Sequence, residues 1–258
     1  MPTETPNNQR LSTLEKVLAV LEAVGDQPQA VGLPDLAARL KLPRQTVHRV
    51  LGQLQGAGLV ARHPGRERYT VGPRMTRLAL ASLNSRNQGA PVREILADLV
   101  EDLNETCNIG ILDDFKYVYL ERIECKWPLR THLAAGSRVS AHGTSGGKTL
   151  LAQFDPEQCR RMLKGRKLEA HTPRTITKLP ELEAELARIR SRGFALNNQE
   201  YLDGIIGMAV PIKDENGRAV AALAMHGPVT RLSLKTCEGY VPRLVQAAER
   251  IARVWIMD

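Results

Sequence analysis

Residues 33–60, LPDLAARLKLPRQTVHRVLGQLQGAGLV, specify two helices joined by a tight turn. The first helix is predicted at about 34–40, and Leu42-Pro43 ends it. The second is predicted from near Pro43, which suits a first helical turn, to about Ala57. Four apolar residues of the second helix recur at helical spacing and should face a core: Val47, Val50, Leu51 and Leu54.

Long or hydrogen-bonding side chains occupy the opposite face of the second helix, near its N-terminus. This layout is that of a helix-turn-helix, in which the second helix inserts side chains into the major groove of DNA. The residues that we expect to contact base edges are Arg44, Gln45, Thr46, His48 and Arg49.

A basic hairpin is predicted directly after this helix. Residues 59–72, LVARHPGRERYTVG, contain two short β-rich runs around a Pro-Gly turn. The segment contains three arginines, Arg62, Arg66 and Arg68, and a single acidic residue, Glu67. A basic hairpin in this position is typical of a wing, which contacts the DNA backbone. The alternative for the whole segment is a small helical subdomain whose basic face is only solvated. The joint pattern of turn, polar face and basic hairpin favours the winged helix-turn-helix.

The sequence divides into an arm, a DNA-reading domain, a linker and a larger second domain. Ser12 and Glu15 form a capping box that opens an amphipathic helix. Residues just before Gly89-Ala90-Pro91 have the composition of a linker helix. The expected segments are a flexible arm at 1–10, the winged helix-turn-helix at 11–73, the linker helix at 74–88 and the second domain at 89–258.

The second domain is predicted to be α+β, with a sheet flanked by helices. Residues 109–124, IGILDDFKYVYLERIE, predict a hairpin in which Asp113-Asp114 separates the strands. Further strands are predicted at about 129–139, 194–198, 206–213 and 218–226, and helices at about 91–106, 145–154, 156–164, 180–192 and 233–256.

Composition and charge restrict the class of protein. The chain has 258 residues, of which 43% are apolar and 25% charged, as in globular domains. Residues 1–88 hold 12 Lys and Arg against 6 Asp and Glu (+6), whereas 89–258 hold 24 against 22 (+2). This asymmetry favours a polyanionic partner for the first third of the chain. Because neither a run of about 18 apolar residues nor a signal region is present, we expect a cytoplasmic protein without membrane association.

The residues that could carry chemistry indicate no catalytic or metal site. The four cysteines lack ligand spacing, so buried thiols are expected, and Cys107 has no evident base partner. Residues 143–149, GTSGGKT, miss the phosphate-loop spacing because position 142 is histidine. They retain a glycine-rich start of a helix, whose free amides favour an anion such as a carboxylate. The alternative is that the glycines serve only the packing of the helix against a strand. His142 and His226 are the histidines best placed to be functional.

Four ordered blocks resemble the isocitrate lyase regulator (IclR) family of bacterial transcription factors, and the resemblance spans nearly the whole chain. Residues 33–60 resemble the family's DNA reader, and RERYTVGPRMTRLAL (66–80) resembles its wing exit and linker helix. GSRVSAHGTSGGKTLLA (136–152) and RGFALNNQEYLDGIIGMAVPIKDENGRAVAALAMHGP (192–228) resemble its sensor-domain signatures. The resemblance implies a GAF-like effector-binding domain after the linker helix.

The resemblance also implies a mode of action. It implies a homodimer or a dimer of dimers on a pseudopalindromic operator, a small carboxylate effector and RNA polymerase as a further partner. It implies no cofactor, no metal and no catalytic turnover. Carried over by position, the effector carboxylate meets backbone amides around Ser145 and Gly146. The other pocket positions that the resemblance implies are Asn197, Gly207, Ala224 and His226.

These other pocket positions depart from the family's usual residues. Many members have an acid in place of Asn197, a cysteine in place of Gly207, and small hydroxyl residues in place of Ala224 and His226. The departures remove a negative charge, leave more apolar room and add a histidine donor. They predict a larger, flatter ligand than glyoxylate or pyruvate, such as an aromatic carboxylate from an aromatic catabolic pathway. A small aliphatic keto acid is the alternative.

Two other classes of protein compete with a regulator. An enzyme acting on a carboxylate would need a convergent nucleophile and base, and the sequence offers no convincing pair. An architectural DNA binder would gain little from a large, nearly neutral second domain. We therefore predict a ligand-responsive DNA-binding regulator that is not an enzyme.

Overall fold

The computed structural model describes residues 12–27, 30–63, 67–83, 90–128 and 134–256. The chain divides between Ser82 and Leu83 into two compact units. The predicted arm at 1–10 and the end of the predicted linker helix, residues 84–88, lie outside the described residues.

The first unit consists of helices and a small antiparallel sheet. Its elements are α1 (Thr13–Gly25), β1 (Val31–Gly32), α2 (Leu33–Leu40), α3 (Arg44–Gly56), β2 (Val60–Arg62) and β3 (Arg68–Val71), followed by α4 (Pro73–Leu83). The strand order is β1-β3-β2. Helix α1 begins with the predicted capping box, in which the Ser12 hydroxyl accepts from the Glu15 N–H and the Glu15 carboxylate accepts from the Ser12 N–H. The predicted pair of helices and the hairpin after them are confirmed.

One apolar face of α3 closes the core of this unit. The four residues predicted to face inward are at most 2% exposed: Val47, Val50, Leu51 and Leu54. They pack in one cluster with Val20 of α1 and Leu36 of α2. Burial of an aliphatic side chain of this size stabilises the fold by about 1.5–3 kcal/mol. The core therefore fixes which face of α3 stays in solvent.

The second unit is a six-stranded antiparallel sheet with helices on both faces. Its elements are α5 (Ala90–Leu103), β4 (Thr106–Asp113), β5 (Lys116–Ile123), β6 (Arg138–Ser140), α6 (Ser145–Leu151), α7 (Pro156–Leu163), α8 (Leu179–Arg192), β7 (Ala195–Asn198), β8 (Ile205–Lys213), β9 (Ala219–Pro228), α9 (Leu234–Gly239) and α10 (Val241–Ile256). The strand order is β6-β5-β4-β9-β8-β7. The predicted α+β class, with a sheet flanked by helices, is confirmed.

The two faces of this sheet pack against different helices. On one face, Ile109, Met208 and Leu223 lie in a large apolar cluster with residues of α5 and α10. On the other face, α6 packs across β4, β8 and β9. Because both faces of the central strands are buried, these strands are nearly continuous apolar runs, without polar alternation.

The single helix predicted at 233–256 is two helices, and a proline is the cause. Pro242 has no N–H to donate to the Glu238 carbonyl, and its ring would clash with that carbonyl in a continuous helix. Helix α9 accordingly ends before Tyr240, and α10 begins at Val241. The proline was visible in the sequence, so this boundary could have been predicted.

Two further details of the predicted strands are corrected. The hairpin turn is formed by Asp114 and Phe115, at φ 42° and 65°, and not by Asp113-Asp114, because Asp113 pairs with Lys116. The strand predicted at 129–139 is limited, within the described residues, to β6. In the described part of the chain, no helix has the length and apolar content needed to cross a bilayer.

Candidate DNA-reading surface and effector pocket

The N-terminal half of α3 presents a polar face to solvent. Arg44, Gln45, His48 and Arg49 are exposed, and Thr46 is partly buried. Their placement follows from the core, because the buried residues of α3 occupy the other side of the helix. The five residues predicted to contact bases thus lie together on one accessible helix face.

Two of the three wing arginines have defined partners. The Arg62 guanidinium donates to the Glu67 carboxylate at 2.8 Å, and both side chains are well exposed, at 47% and 83%. Arg68 donates to the Ala30 carbonyl at 3.0 Å, which ties β3 to the segment before β1. Arg66 lies outside the described residues. Arg62 therefore lies on a solvent-facing wing, while Arg68 also has a structural role.

A pocket opens in the second unit between the start of α6, the sheet and the segment that follows β7. Its cavity volume is about 50 Å³, which is room for a few water molecules. All six residues predicted from the resemblance line it: Ser145, Gly146, Asn197, Gly207, Ala224 and His226. The structure thus brings together residues that lie up to 81 positions apart in the sequence.

Sequence reasoning missed several residues that line the same pocket. Asn108, Tyr117 and Tyr119 come from β4 and β5, and Tyr201 and Leu202 come from the segment after β7. The spacing of two between Tyr117 and Tyr119 could have indicated that both side chains share one face of a strand. No comparable signal marks Tyr201 and Leu202, because they lie outside regular structure.

Two residues of the first turn of α6, Ser145 and Gly146, line the pocket. Thr144 caps the helix, and its hydroxyl accepts from the Gly147 N–H at 3.2 Å. Among the described residues, no group accepts a hydrogen bond from the amides of Ser145 or Gly146. Free amides at a helix start are suited to bind an anion.

Gly146 lets α6 approach β5 closely. A Cβ at this position would lie 2.5 Å from Cζ of Tyr117. The Tyr117 ring is held in place, since its hydroxyl lies 3.0 Å from Oδ1 of Asn108 and 3.2 Å from the Ala222 carbonyl. Burial raises the pKa of Tyr117 well above its usual value, so the hydroxyl keeps its proton and donates.

Asn197 positions the backbone around the pocket. Its Nδ2 donates to the Gly143 carbonyl at 2.6 Å, and its Oδ1 accepts from the Glu200 N–H at 3.1 Å. Both carboxylate oxygens of Glu200 accept from Nζ of Lys148 on α6, each at 2.6 Å. The side-chain amide therefore joins the loop before α6 to the segment that carries Tyr201.

His226 occupies the space beside Gly207. A Cβ on Gly207 would lie 2.9 Å from Cβ of His226 and 2.4 Å from the Met225 carbonyl. The apolar room expected from the missing side chain at Gly207 is therefore already filled. The Nη1 atom of Arg122 lies 3.4 Å from Nε2 of His226.

His226 is uncharged at neutral pH. Burial and then the positive charge of Arg122 lower the pKa of His226 to about 3. Because a guanidinium can only donate, Nε2 accepts from Arg122, and this assignment places the imidazole proton on Nδ1. Burial also raises the pKa of Tyr119 to about 12, so its hydroxyl stays protonated.

We expect His226 to make the stability of the fold depend on pH. The pKa of His226 in the folded protein, about 3, lies below the value of about 6.5 for a histidine in an unfolded chain, so the unfolded chain binds more protons between these two pH values. The free energy of unfolding therefore falls as pH drops from about 6.5 toward 3, by at most about 1.4 kcal/mol per pH unit. His142, whose pKa burial also lowers, contributes in the same direction.

Urea unfolding of the wild type and of His226→Gln between about pH 7 and pH 5 measures this dependence. The substitution should make the curve of unfolding free energy against pH less steep. Equal slopes for the two proteins would show that folding does not lower the pKa of His226.

The remaining candidates lie away from the pocket. His142 is 1% exposed, and its Nε2 lies 3.0 Å from the Glu169 carbonyl. Its ring stacks on Phe115 with centroids 5.7 Å apart, which indicates a structural role. All four cysteines are buried free thiols, as predicted.

Two family models match the chain. The IclR helix-turn-helix domain matches residues 13–64, and the bacterial transcriptional regulator IclR C-terminal domain matches residues 80–253. Together the two matches include α3, the segment around β2 and the whole pocket.

Relatives match over nearly the full length. A probable transcriptional regulator, SauR of Cupriavidus necator, is 38% identical over 240 residues, which are 93% of this chain and 95% of SauR. An IclR homolog from Microbacterium hydrocarbonoxydans, solved with 4-hydroxybenzoate, is 25% identical with TM-score 0.60, covering 96% of this chain and 100% of its own. A double mutant of the PobR inducer-binding domain from Acinetobacter, solved with 3-hydroxybenzoic acid, is 28% identical with TM-score 0.57. The match covers 62% of this chain and 94% of that domain. The chain belongs to the IclR family of ligand-responsive bacterial transcription regulators.

Proposed function

We propose that the exposed face of α3 reads operator DNA in the major groove and that the wing contacts the backbone. The observation that carries the proposal is the exposed set of long polar side chains on one side of α3, followed in sequence by exposed Arg62. Helix side chains with this chemistry recognise base edges, and arginines on a hairpin neutralise phosphates.

Gln45→Ala should change the base preference of the protein at one operator position. A glutamine that contacts a base contributes about 1–3 kcal/mol of discrimination there, and binding to other sequences is affected less. Fluorescence anisotropy with operator variants measures the change. Gln55→Ala, at the other end of α3, is the matched control; an equal effect of both substitutions would contradict this docking.

Glu67→Gln should strengthen binding to DNA of any sequence. The substitution removes a negative charge from the wing and releases Arg62 from an exposed ion pair. Such pairs are worth about 0.2–1 kcal/mol, so the dissociation constant should fall by up to about fivefold. Anisotropy at several salt concentrations checks this, and a weakened complex would contradict the placement of the wing on phosphates.

We propose that the effector is a carboxylic acid whose carboxylate binds the amides of Ser145 and Gly146. The supporting observation is that two amides without acceptors belong to residues that line a pocket together with hydroxyl and amide side chains. The lining of the pocket also includes Tyr119 and Tyr201, and aromatic rings of this kind pack well against a flat ligand.

We propose further that the acid is aromatic, with one ring. Relatives solved with 4-hydroxybenzoate and 3-hydroxybenzoic acid support this class. A compact aliphatic acid is the second candidate, favoured by the way His226 fills the space beside Gly207.

Isothermal titration calorimetry with matched acids and amides tests the proposal. Benzoate and hydroxybenzoates should bind, and the corresponding benzamides should bind at least tenfold more weakly, since they lack the anion. Pyruvate and glyoxylate represent the aliphatic candidate. Equal affinity for acids and amides would contradict the carboxylate site, and binding of aliphatic acids alone, undiminished in His226→Ala, would contradict the aromatic class.

We also propose that the protein binds a pseudopalindromic operator as a dimer or a dimer of dimers and contacts RNA polymerase there. Two copies of one α3 match the two-fold symmetry of such a site. Sedimentation velocity with and without operator measures the mass of the complex, and a single copy per operator would contradict the proposal.

A further inference from the structure

A buried arginine lies behind the pocket wall and has no part in the carboxylate site at α6. The side chain of Arg122 is 4% exposed, and its Nη1 lies 3.4 Å from Nε2 of His226. His226 and Tyr119 both line the pocket, and the charge of Arg122 acts on both. Tyr119 and His226 therefore form a second polar end of the pocket, and Arg122 lies behind them.

A β-bulge puts Arg122 on the pocket side of the sheet. Strands β4 and β5 pair Asn108 with Arg122 and Gly110 with Tyr119, so β5 has one extra residue between these pairs. Without the bulge, side chains three positions apart on a strand would point to opposite faces. Because paired residues share a face, Arg122 and Tyr119 both lie on the face of Asn108, which lines the pocket.

This second end is separated from the amides of α6. The Tyr117 hydroxyl lies against the start of α6 and bonds to Asn108 on β4. His226 pairs with Thr106, which precedes Asn108 by two residues on β4. Two residues of an antiparallel strand span about 7 Å. The separation corresponds to the length of a small acid with a functional group at each end.

Among the described residues, Arg122 is the charge that acts most strongly on His226 and on Tyr119. Glu124 lies near Arg122, with its Oε1 3.8 Å from Nε, but the Glu124 side chain is 25% exposed and therefore more screened by water. At the His226 ring, the effect of Arg122 exceeds the opposite effect of Glu124.

We propose that the effector carries a second anionic group, which binds at Tyr119 and His226 in the field of Arg122. This inference rests on the proposed function, because the first carboxylate is taken to bind at Ser145 and Gly146. The ligand class is a short dianionic acid with its charges at opposite ends, either across one aromatic ring or along a short chain. Arg122 is the specificity-determining residue that selects such dianions over monoanions of the same shape.

Calorimetry with two matched pairs of acids tests the inference on the full-length protein. The pairs are benzene-1,4-dicarboxylate against benzoate, and succinate against butyrate. In at least one pair the diacid should bind at least tenfold more tightly than the monoacid. Arg122→Gln should abolish this preference. Arg93→Gln is the matched control, because Arg93 is an exposed arginine on α5 that pairs with Glu121, the residue before Arg122. This variant should retain the preference for the diacid.

Glu124→Gln keeps the test decisive if Arg122→Gln does not fold. It removes the negative charge that opposes Arg122, so the preference for the diacid should increase severalfold. An unchanged or smaller preference in Glu124→Gln would overturn the inference.

The outcomes separate this inference from the proposed function. If the monoacid binds as tightly as the diacid in both pairs, the second anionic group is excluded and the carboxylate site stands. If neither acids nor diacids bind better than their amides, the carboxylate site itself is wrong and both proposals fail.

Discussion

Lys148→Met is expected to lower the free energy of unfolding by about 3–5 kcal/mol. The Lys148 ammonium lies 2.6 Å from each carboxylate oxygen of Glu200, and both residues are buried, at 1% and 6% exposed. Without the ammonium, the carboxylate would remain buried beside an apolar side chain, and its desolvation would no longer be offset. Urea unfolding with intrinsic fluorescence measures the change.

The same substitution should weaken effector binding. The backbone of Glu200 is tied on both sides, since its N–H donates to Asn197 and its carbonyl accepts from Thr175 at 2.6 Å. Movement of Glu200 would displace Tyr201, the next residue, from the pocket wall. The buried ion pair thus links the helix proposed to bind the carboxylate to the segment that carries Tyr201.

Two variants serve as controls for Lys148→Met. Lys178→Met breaks an exposed ion pair with Glu181, at 75% and 55% exposed, and should cost at most about 0.5 kcal/mol. A double substitution, Lys148→Met with Glu200→Leu, removes both charges and should recover part of the loss. A Lys148→Met effect no larger than that of Lys178→Met would show that the pair is not buried as described.

Gly146→Ala is expected to lower the free energy of unfolding by about 1–3 kcal/mol and to abolish effector binding. The added Cβ would lie 2.5 Å from the Tyr117 ring, which cannot move aside without drawing its hydroxyl away from the Asn108 and Ala222 oxygens. Helix α6 must then shift away from β5 and carry its amides away from the carboxylate. Calorimetry with the acid that binds most tightly, together with urea unfolding, measures both effects.

Gly239→Ala is the matched control in the same unit. A Cβ there would meet nothing within 4 Å, and the backbone is helical. Alanine at such a position should leave stability unchanged or raise it by up to about 1 kcal/mol. Shortening the opposing side chain, as in Gly146→Ala with Tyr117→Leu, should restore part of the stability. An unaltered effector affinity in Gly146→Ala would contradict the role of the α6 amides.

The helices of the first unit could be predicted closely because each depends on local signals. The capping box at Ser12 and the apolar spacing of Val47, Val50 and Leu54 fix α1 and α3 before any long-range contact is considered. In the second unit, Pro242 is a local signal for the boundary between α9 and α10 at Tyr240. The apolar periodicity continues on both sides of this boundary, and it therefore predicted a single helix.

The pocket could be predicted only in part, because its shape depends on contacts between distant residues. The resemblance supplied Ser145 and Gly146, but not the Tyr117 ring that packs against them from β5. The room expected at Gly207 is filled by His226, a contact that depends on the register of β8 against β9. The bulge that turns Arg122 toward the pocket has no signature in the sequence of β5.

The central claim is that an acid bound at Ser145 and Gly146 changes the affinity of the protein for its operator. The measurement that tests it most directly is fluorescence anisotropy of operator DNA, selected by the protein from a random pool, with and without a saturating concentration of the tightest-binding acid. Coupling between two sites typically changes affinity by about 5–150-fold, so the acid should shift the dissociation constant for DNA at least fivefold, and its amide should not. Equal DNA affinity with and without the saturating acid would contradict the account.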